Sequence, residues 1–193
     1  MTVARMFSAL QTGLRGFVTA SQAVSAVEFA LILPVMVTLY IGGVQVATGM
    51  AVQFKSVLAA RTVAGLASRY TTIDTPTMSS ILNAGFTLLN PYPTAGMSVT
   101  VSEVSTDAKG NATITWSCSL GGTPHTFGAA ATLPNNVNAA NISILWGEVT
   151  YPYTPQLGYV LTGTINMYEK NYFYPRLTSS VSGPSAASAC PAS

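Results

Sequence analysis

The apolar positions are gathered into one long run. Phe29–Phe54 is 26 residues without a charge, FALILPVMVTLYIGGVQVATGMAVQF, with Glu28 directly before it and Lys55 directly after. As a helix rising ~1.5 Å per residue, such a run is long enough to cross a ~30 Å hydrocarbon core. Before it, Phe7, Leu10, Leu14 and Phe17 recur at helical spacing in a leader with two arginines, Arg5 and Arg15, and no acid. That pattern suits a helix lying on a membrane surface, and an unstructured leader is the alternative. After it, Ala60, Ala64 and Ala67 keep a smooth face while Lys55, Arg61 and Arg69 punctuate the rest. The spacing predicts one helix over Val24–Tyr70, about 70 Å long. Gly43, Ala47 and Ala51 form a small-residue row of the kind that lets helices approach closely in lipid.

A second helix is predicted from Thr75-Pro76, with Pro at its first position and a face of Met78, Ile81, Leu82, Phe86 and Leu89 ending before Pro91. The period then changes to two. Met97, Val99 and Val101 predict a first strand; Ala112, Ile114, Trp116 and Cys118 predict a second with all four on one face. Ser105–Asn111 between them is turn chemistry, with Gly110 available for positive φ. A third strand, Ile142–Tyr153, changes phase about Gly147, which predicts a bulge there. A fourth covers Thr164–Tyr174. Leu120–Ala140 is a long polar stretch, expected to be a contact loop or a mobile one. The fold class is α+β: a long membrane-spanning helix, a short helix and an antiparallel meander of about four strands packed on helix.

Only 7% of the 193 residues are charged, against ~25% in a typical soluble domain. The net charge of +2 is dispersed, with no basic cluster interleaved with aromatics, so nucleic acid is excluded as a partner. The apolar run exceeds a secretory h-region and has an acid at its start, so it reads as a retained anchor rather than a signal peptide. Charge counting leaves orientation open. The short leader and the larger cysteine-bearing domain after the span favour an inside amino terminus and an outside carboxyl terminus.

Cys118 and Cys190 lack metal-ligand spacing. In an oxidising compartment they would pair; otherwise they are two thiols. A bond would close a loop of roughly 70 residues, worth about 4 kcal/mol in the chain-entropy model. It would also tie down Thr178–Ser193, which otherwise reads as a disordered Ser/Ala/Pro tail. Six of the nine tyrosines fall between Tyr151 and Tyr174, either as a binding surface or as ordinary strand packing.

Catalytic signatures are lacking. His125 is the single histidine and reads as a loop residue, with no metalloprotease, nucleophile-elbow or P-loop context. Glu103 with Glu148 is a carboxylate pair open to pairing across strands, though nothing in the sequence nominates it. No enzyme activity, cofactor or metal is expected. Asn111 and Asn141 head glycosylation triplets, which are frequent by chance.

Ala23-Val24-Ser25-Ala26-Val27-Glu28-Phe29-Ala30-Leu31-Ile32-Leu33-Pro34 resembles the amino-terminal signature of TadE-like pseudopilins, minor pilin-like components of the Tad (tight adherence) pilus. Val99–Trp116 and Glu148–Pro155 resemble that family's outer domain. The resemblance implies cutting by a prepilin peptidase between Ala23 and Val24, with Glu28 as fifth mature residue. Ala23 departs from the usual Gly. Cleavage would expose an α-amine on Val24. Unpaired in lipid, that amine and the Glu28 carboxylate would each cost several kcal/mol, roughly, to bury. Pairing Glu28 of one subunit with Val24 of a neighbour would relieve both and set register between helices, with Phe29 beside them. A Glu28 snorkelling to the interface is the plain alternative. Pro34 would kink the helix or be an ordinary membrane proline.

The expectation is therefore a pseudopilin-like assembly component: a leader over 1–23, a long helix over 24–70 with its membrane part at 29–54, an extracytoplasmic α+β domain over 71–177, and a tail over 178–193. Its implied partners are a prepilin peptidase, other pilin or pseudopilin subunits, the inner-membrane pilus platform and the lipid bilayer. The implied location is the bacterial inner membrane, with possible incorporation in a surface pilus. An unprocessed, single-pass, membrane-anchored binding protein is the alternative, and a membrane-tethered hydrolase a weaker third.

Overall fold

Pro34 is the one proline between Ser21 and Ala67, and the helix α1 spans all 47 of those residues. The computed structural model describes residues 21–155, 163–184 and 190; the leader face of Phe7, Leu10, Leu14 and Phe17 lies outside them. Pro34 cannot donate to the carbonyl one turn back. Thr38 bonds its hydroxyl to the Pro34 carbonyl at 2.8 Å.

The chain divides into two units. One contains residues 21–46 of α1, a single helical stretch; the other begins at Ala47 and contains the rest of α1, residues through Pro155, and the chain from Gly163 onward. In this second unit a short helix and five strands follow α1. Helix α2 is Thr75–Leu88; the strands are β1, Ser98–Thr106; β2, Ala112–Leu120; β3, Ala130–Ala131; β4, Ser143–Tyr153; and β5, Ile165–Phe173. Asp74 caps α2, its carboxylate accepting from the Thr77 amide at 3.0 Å. Those hydrogen bonds from Thr77 hold the Asp74 carboxyl below its ordinary pKa. At the other end Lys55 of α1 donates to the Leu88 and Asn90 carbonyls, at 3.2 and 2.6 Å, placing a cation where α2 exposes unpaired acceptors.

The sheet is antiparallel but not a meander. Its order is β3-β2-β1-β4-β5. The third long strand returns to pair with the first, Thr100 opposite Glu148. β1 has six consecutive buried residues, Val99–Val104, and takes the centre beside β4, whose Ser143–Val149 are buried in turn; the stretch after Leu120 is long enough to cross back. That stretch also supplies the unexpected fifth strand, a two-residue pairing of Ala130 and Ala131 with Thr113 and Ala112. The β1–β2 turn closes as expected, with Gly110 at φ +82° and Asp107 accepting from the Lys109 and Asn111 amides, each at 2.8 Å.

Both faces of the sheet are covered. Val99, Val101, Leu145, Val149, Tyr151 and Tyr153 join Ala59, Ala60, Val63 and Ala67 of α1 and Met78 and Leu82 of α2 in the main core. Val104, Ala112, Ile114, Ile144 and Trp146 form a second cluster on the other face with Leu133. Two sequence expectations are corrected here. Ala112, Ile114, Trp116 and Cys118 do not share a face, because register shifts between Glu103 and Val104: Glu103 pairs with Trp116 and Val104 with Ile114, leaving Thr115 as the extra residue. The bulge is therefore in β2. At Gly147 pairing with β1 and β5 continues without a shift, and the apparent phase change of β4 reflects two buried faces. Gly147 is there for close approach: a Cβ would sit 2.4 Å from the Ala60 carbonyl oxygen and 2.9 Å from the Ala64 Cβ. The smooth alanine face of α1 is the face that seats on β4.

The tail reads as disordered from composition, yet its described residues are tied down. Thr72 and Ser182 form a parallel bridge, Val181 is fully buried, and Cys190 is bonded to Cys118 with Cα atoms 5.3 Å apart.

Gly147→Ala is expected to destabilise this unit by about 1–3 kcal/mol through overpacking. Chemical denaturation of the detergent-solubilised chain checks it, and an unchanged midpoint would contradict the seating of α1 on β4.

Candidate functional site

The amino-terminal part of α1 has one outstanding property: its apolar side chains are exposed. Phe29 is 60% exposed, Leu31 72% and Leu39 71%, and Val24, Val27, Ile32, Val35 and Met36 are similarly open. An 18-residue window reaches a mean hydropathy of 2.1, long and apolar enough to cross a membrane. Burying such surface in lipid or against other helices is the favourable alternative to leaving it in water. Val24 and Glu28 are separated by one helical turn and so lie on one face; both are exposed.

Where this exposed stretch stops is set by the second unit. Val52 and Ser56 are fully buried, and a Cβ on Gly49 would meet the Tyr153 ring at 3.4 Å. Phe29–Thr48 is thus the uncharged stretch before the sheet is met, 20 residues rather than 26. That is still about 30 Å of helix. Of the expected small-residue row, Gly43 and Ala47 are exposed and Ala51 is half-buried. An apolar groove of about 460 Å³ follows, lined by Gly49, Met50, Phe54, Val57 and Met167. Gln53, at its edge, donates its side-chain amide to Glu169 of β5.

The outer face of the sheet holds a second arrangement. Glu148 accepts from the Tyr168 hydroxyl, lies 2.5 Å from Nε2 of His125, and stands 3.5 Å from Nζ of Lys170. The His125 ring stacks on Trp146 with centroids 5.3 Å apart, and Lys170 stands 3.5 Å over the same indole. Burial lowers the Lys170 pKa, with Glu148 opposing the shift. Burial first, then Glu148, raise those of Tyr168 and Tyr172. His125 lies in a loop, as expected, and makes contacts the sequence did not announce. It fastens the loop after β2 onto the sheet, its backbone amide also donating to Ser117 Oγ at 3.0 Å. Glu103 and Glu148 do not pair: Glu103 follows Val99 and Val101 on the helix-facing side, and Glu148 lies on the other. Sequence reading missed the Glu148 cluster, although Trp146 and Glu148, then Tyr168, Lys170 and Tyr172, alternate at period two. Only the β4–β5 register, Glu148 opposite Lys170, joins the two patterns.

The tyrosines do not make a single surface. Tyr151 and Tyr153 are buried on the helix side, Tyr151 donating to the Pro93 carbonyl at 2.7 Å. Tyr168 and Tyr174 are exposed, and Tyr159 lies outside the described residues. Among the described residues no cluster of His, Cys, Asp and Glu could hold a metal ion.

Residues 23–69 match the family model of TadE-like proteins. The matched segment begins at Ala23 and ends just beyond α1. It coincides with the resemblance carried by Ala23–Pro34, and the TadE-like family suggests a component of the Tad pilus, a structural family not typically enzymatic. The likeness of Val99–Trp116 and Glu148–Pro155 to the outer domain lies beyond the matched residues. No curated protein and no solved structure matches the chain.

Glu148→Gln is expected to destabilise the fold by about 2 kcal/mol, because it leaves Lys170 without its anion. It should also move the Lys170 pKa further below its ordinary value, since the charge that opposes desolvation is gone. A lysine with a depressed folded pKa costs stability while protonated, and that cost is relieved as pH rises from the folded value toward the unfolded one. The variant's relief should begin at lower pH, which ¹⁵N NMR of Lys170 together with denaturation across alkaline pH would register.

Proposed function

We propose that this chain is a pseudopilin-like assembly component of a Tad-type pilus, held in the bacterial inner membrane by α1 and drawn into or onto the pilus by packing of that helix. The observation that carries the reading is the coincidence of three features on one segment: an apolar helix exposed from Val24 onward, an acid at its edge, and a TadE-like match over residues 23–69. The amino terminus is cytoplasmic and the sheet-bearing unit periplasmic. The site of the disulfide supports that orientation, since such bonds persist in oxidising compartments.

Assembly proceeds from a covalent change. A prepilin peptidase cuts between Ala23 and Val24, and the new α-amine is a basic group facing the Glu28 carboxyl of a neighbour. Within lipid each ion needs a counter-ion. Glu28 of one subunit meets the Val24 amine of the next and so fixes the axial offset of neighbouring helices, with Phe29 packing beside the pair. Gly43, Ala47 and Ala51 let the helices come close. Pro34 removes one backbone bond and leaves the helix able to bend as subunits enter. The platform and the other pilin or pseudopilin subunits are the partners this geometry serves.

Mass measurement of the chain extracted from membranes is expected to place its first residue at Val24. An intact or far-downstream terminus would instead favour the unprocessed, anchored binding protein. Ala23→Leu is expected to block maturation, seen as slower gel migration. Glu28→Ala is expected to insert as well as the parent and yet be absent from sheared pili; normal piliation by that variant would remove the register pairing.

A further inference from the structure

Glu103 is the most deeply buried acid of the chain, at 2% exposure. The two hydrogen bonds described for it, from Ser143 Oγ at 2.5 Å and from the Val181 amide at 2.8 Å, both end on Oε1. Both ion pairs among the described residues belong to Glu148 instead. A carboxylate out of water without a cation is costly, and two donors on one oxygen answer only part of that cost.

Glu103 also borders a cavity of about 450 Å³, within the size range of small-ligand sites. Its wall combines the hydroxyls of Ser105, Thr115 and Ser143 with the rings of Trp116 and Phe127, and the tail residues 180–183 close one side. Ser105 and Thr115 bond to each other at 3.0 Å, and Trp116 Nε1 donates to the Val181 carbonyl at 2.7 Å, so this wall is held in place. Phe127 stands at the opposite extreme, an aromatic ring 75% exposed. A buried anion beside aromatic faces is the combination that attracts a cation, by charge and by the ring quadrupole together.

We propose that this cavity binds an organic cation, an alkylammonium or guanidinium group, with Glu103 as its counter-ion and Trp116 and Phe127 as its aromatic walls. Hydroxyls at Ser105 and Thr115 are available to accept from the N–H groups of the ligand. Nothing in this inference depends on the helix or on pilus assembly.

The full chain in detergent micelles, ¹⁵N-labelled, provides the test, because its two indole N–H signals report opposite faces of the sheet. Trp116 lines the cavity and Trp146 belongs to the Glu148 cluster. Titration with butylammonium or methylguanidinium is expected to shift the Trp116 signal saturably and leave Trp146 unmoved. Butanol, equal in shape and uncharged, is expected to give no saturable shift. Glu103→Gln preserves size and an acceptor oxygen and should weaken the cations about tenfold or more. Phe127→Ala, at an exposed position that burdens folding little, should weaken them severalfold. A response to Nα-acetyl-lysine methylamide equal to that of butylammonium would point to a side chain of a partner protein as the source; a response to butylammonium alone would point to a free amine. Butanol binding as well as butylammonium, an unchanged affinity in Glu103→Gln, or no movement of Trp116 in the parent would each overturn the proposal.

Discussion

A single helix must satisfy two surroundings, and the contact that permits it is the seat of Ala60 and Ala64 on Gly147. Any side chain at residue 147 would meet the Ala60 carbonyl and the Ala64 methyl and hold α1 off β4. With the seat in place, Val52, Ala59, Val63 and Ala67 lose all exposure, and the hydrophobic effect joins the second half of α1 to the sheet. Among the described residues of the first half Gln45 alone is buried. The exposed valines, leucines and phenylalanine of that half need an apolar medium, and membrane or neighbouring helices are the media that provide one.

The tail is the second structural device. It crosses beneath Trp116, contributes Val181 to the main core, bridges Thr72 and ends in the bond from Cys190 to Cys118. Glu103 holds it by the Val181 amide. Residues far apart in the chain are thereby gathered at one end of the sheet, where a cavity with a buried carboxylate remains. At the other face His125, Lys170 and Tyr168 converge on Glu148 and fasten the loop that follows β2. A chain so poor in charge thus places two of its six acids in buried positions with specific tasks, one organising the tail and the other the outer face.

The helices were legible because a period of 3.6 is local. Phe29–Phe54, the Ala60–Ala64–Ala67 face and the segment from Thr75-Pro76 to Leu89 each carry their own signal, and the TadE-like match spans the first two of these. Strands β1, β2, β4 and β5 were legible as elements from alternation. Their arrangement was not, since pairing β4 with β1 depends on contacts remote in sequence. The same reason hid the bulge: Thr115 looks like any strand residue until Glu103 is set opposite Trp116 and Val104 opposite Ile114. Glycine in a strand has two explanations, bulge or close approach, and only the position of α1 decides for Gly147. The lower limit of the exposed stretch was likewise hidden, because Gly49 and Val52 are as apolar as their neighbours and differ only in meeting the sheet.

The direct measurement is accessibility of spin labels in lipid vesicles, with nitroxides placed by cysteine substitution at Leu39 and at Arg61, under conditions that keep the native disulfide. The account predicts that the label at 39 is relaxed by oxygen and shielded from a water-soluble nickel chelate, while the label at 61 shows the reverse. A label at 39 as open to the chelate as that at 61 would contradict it, because the exposed half of α1 would then stand in water.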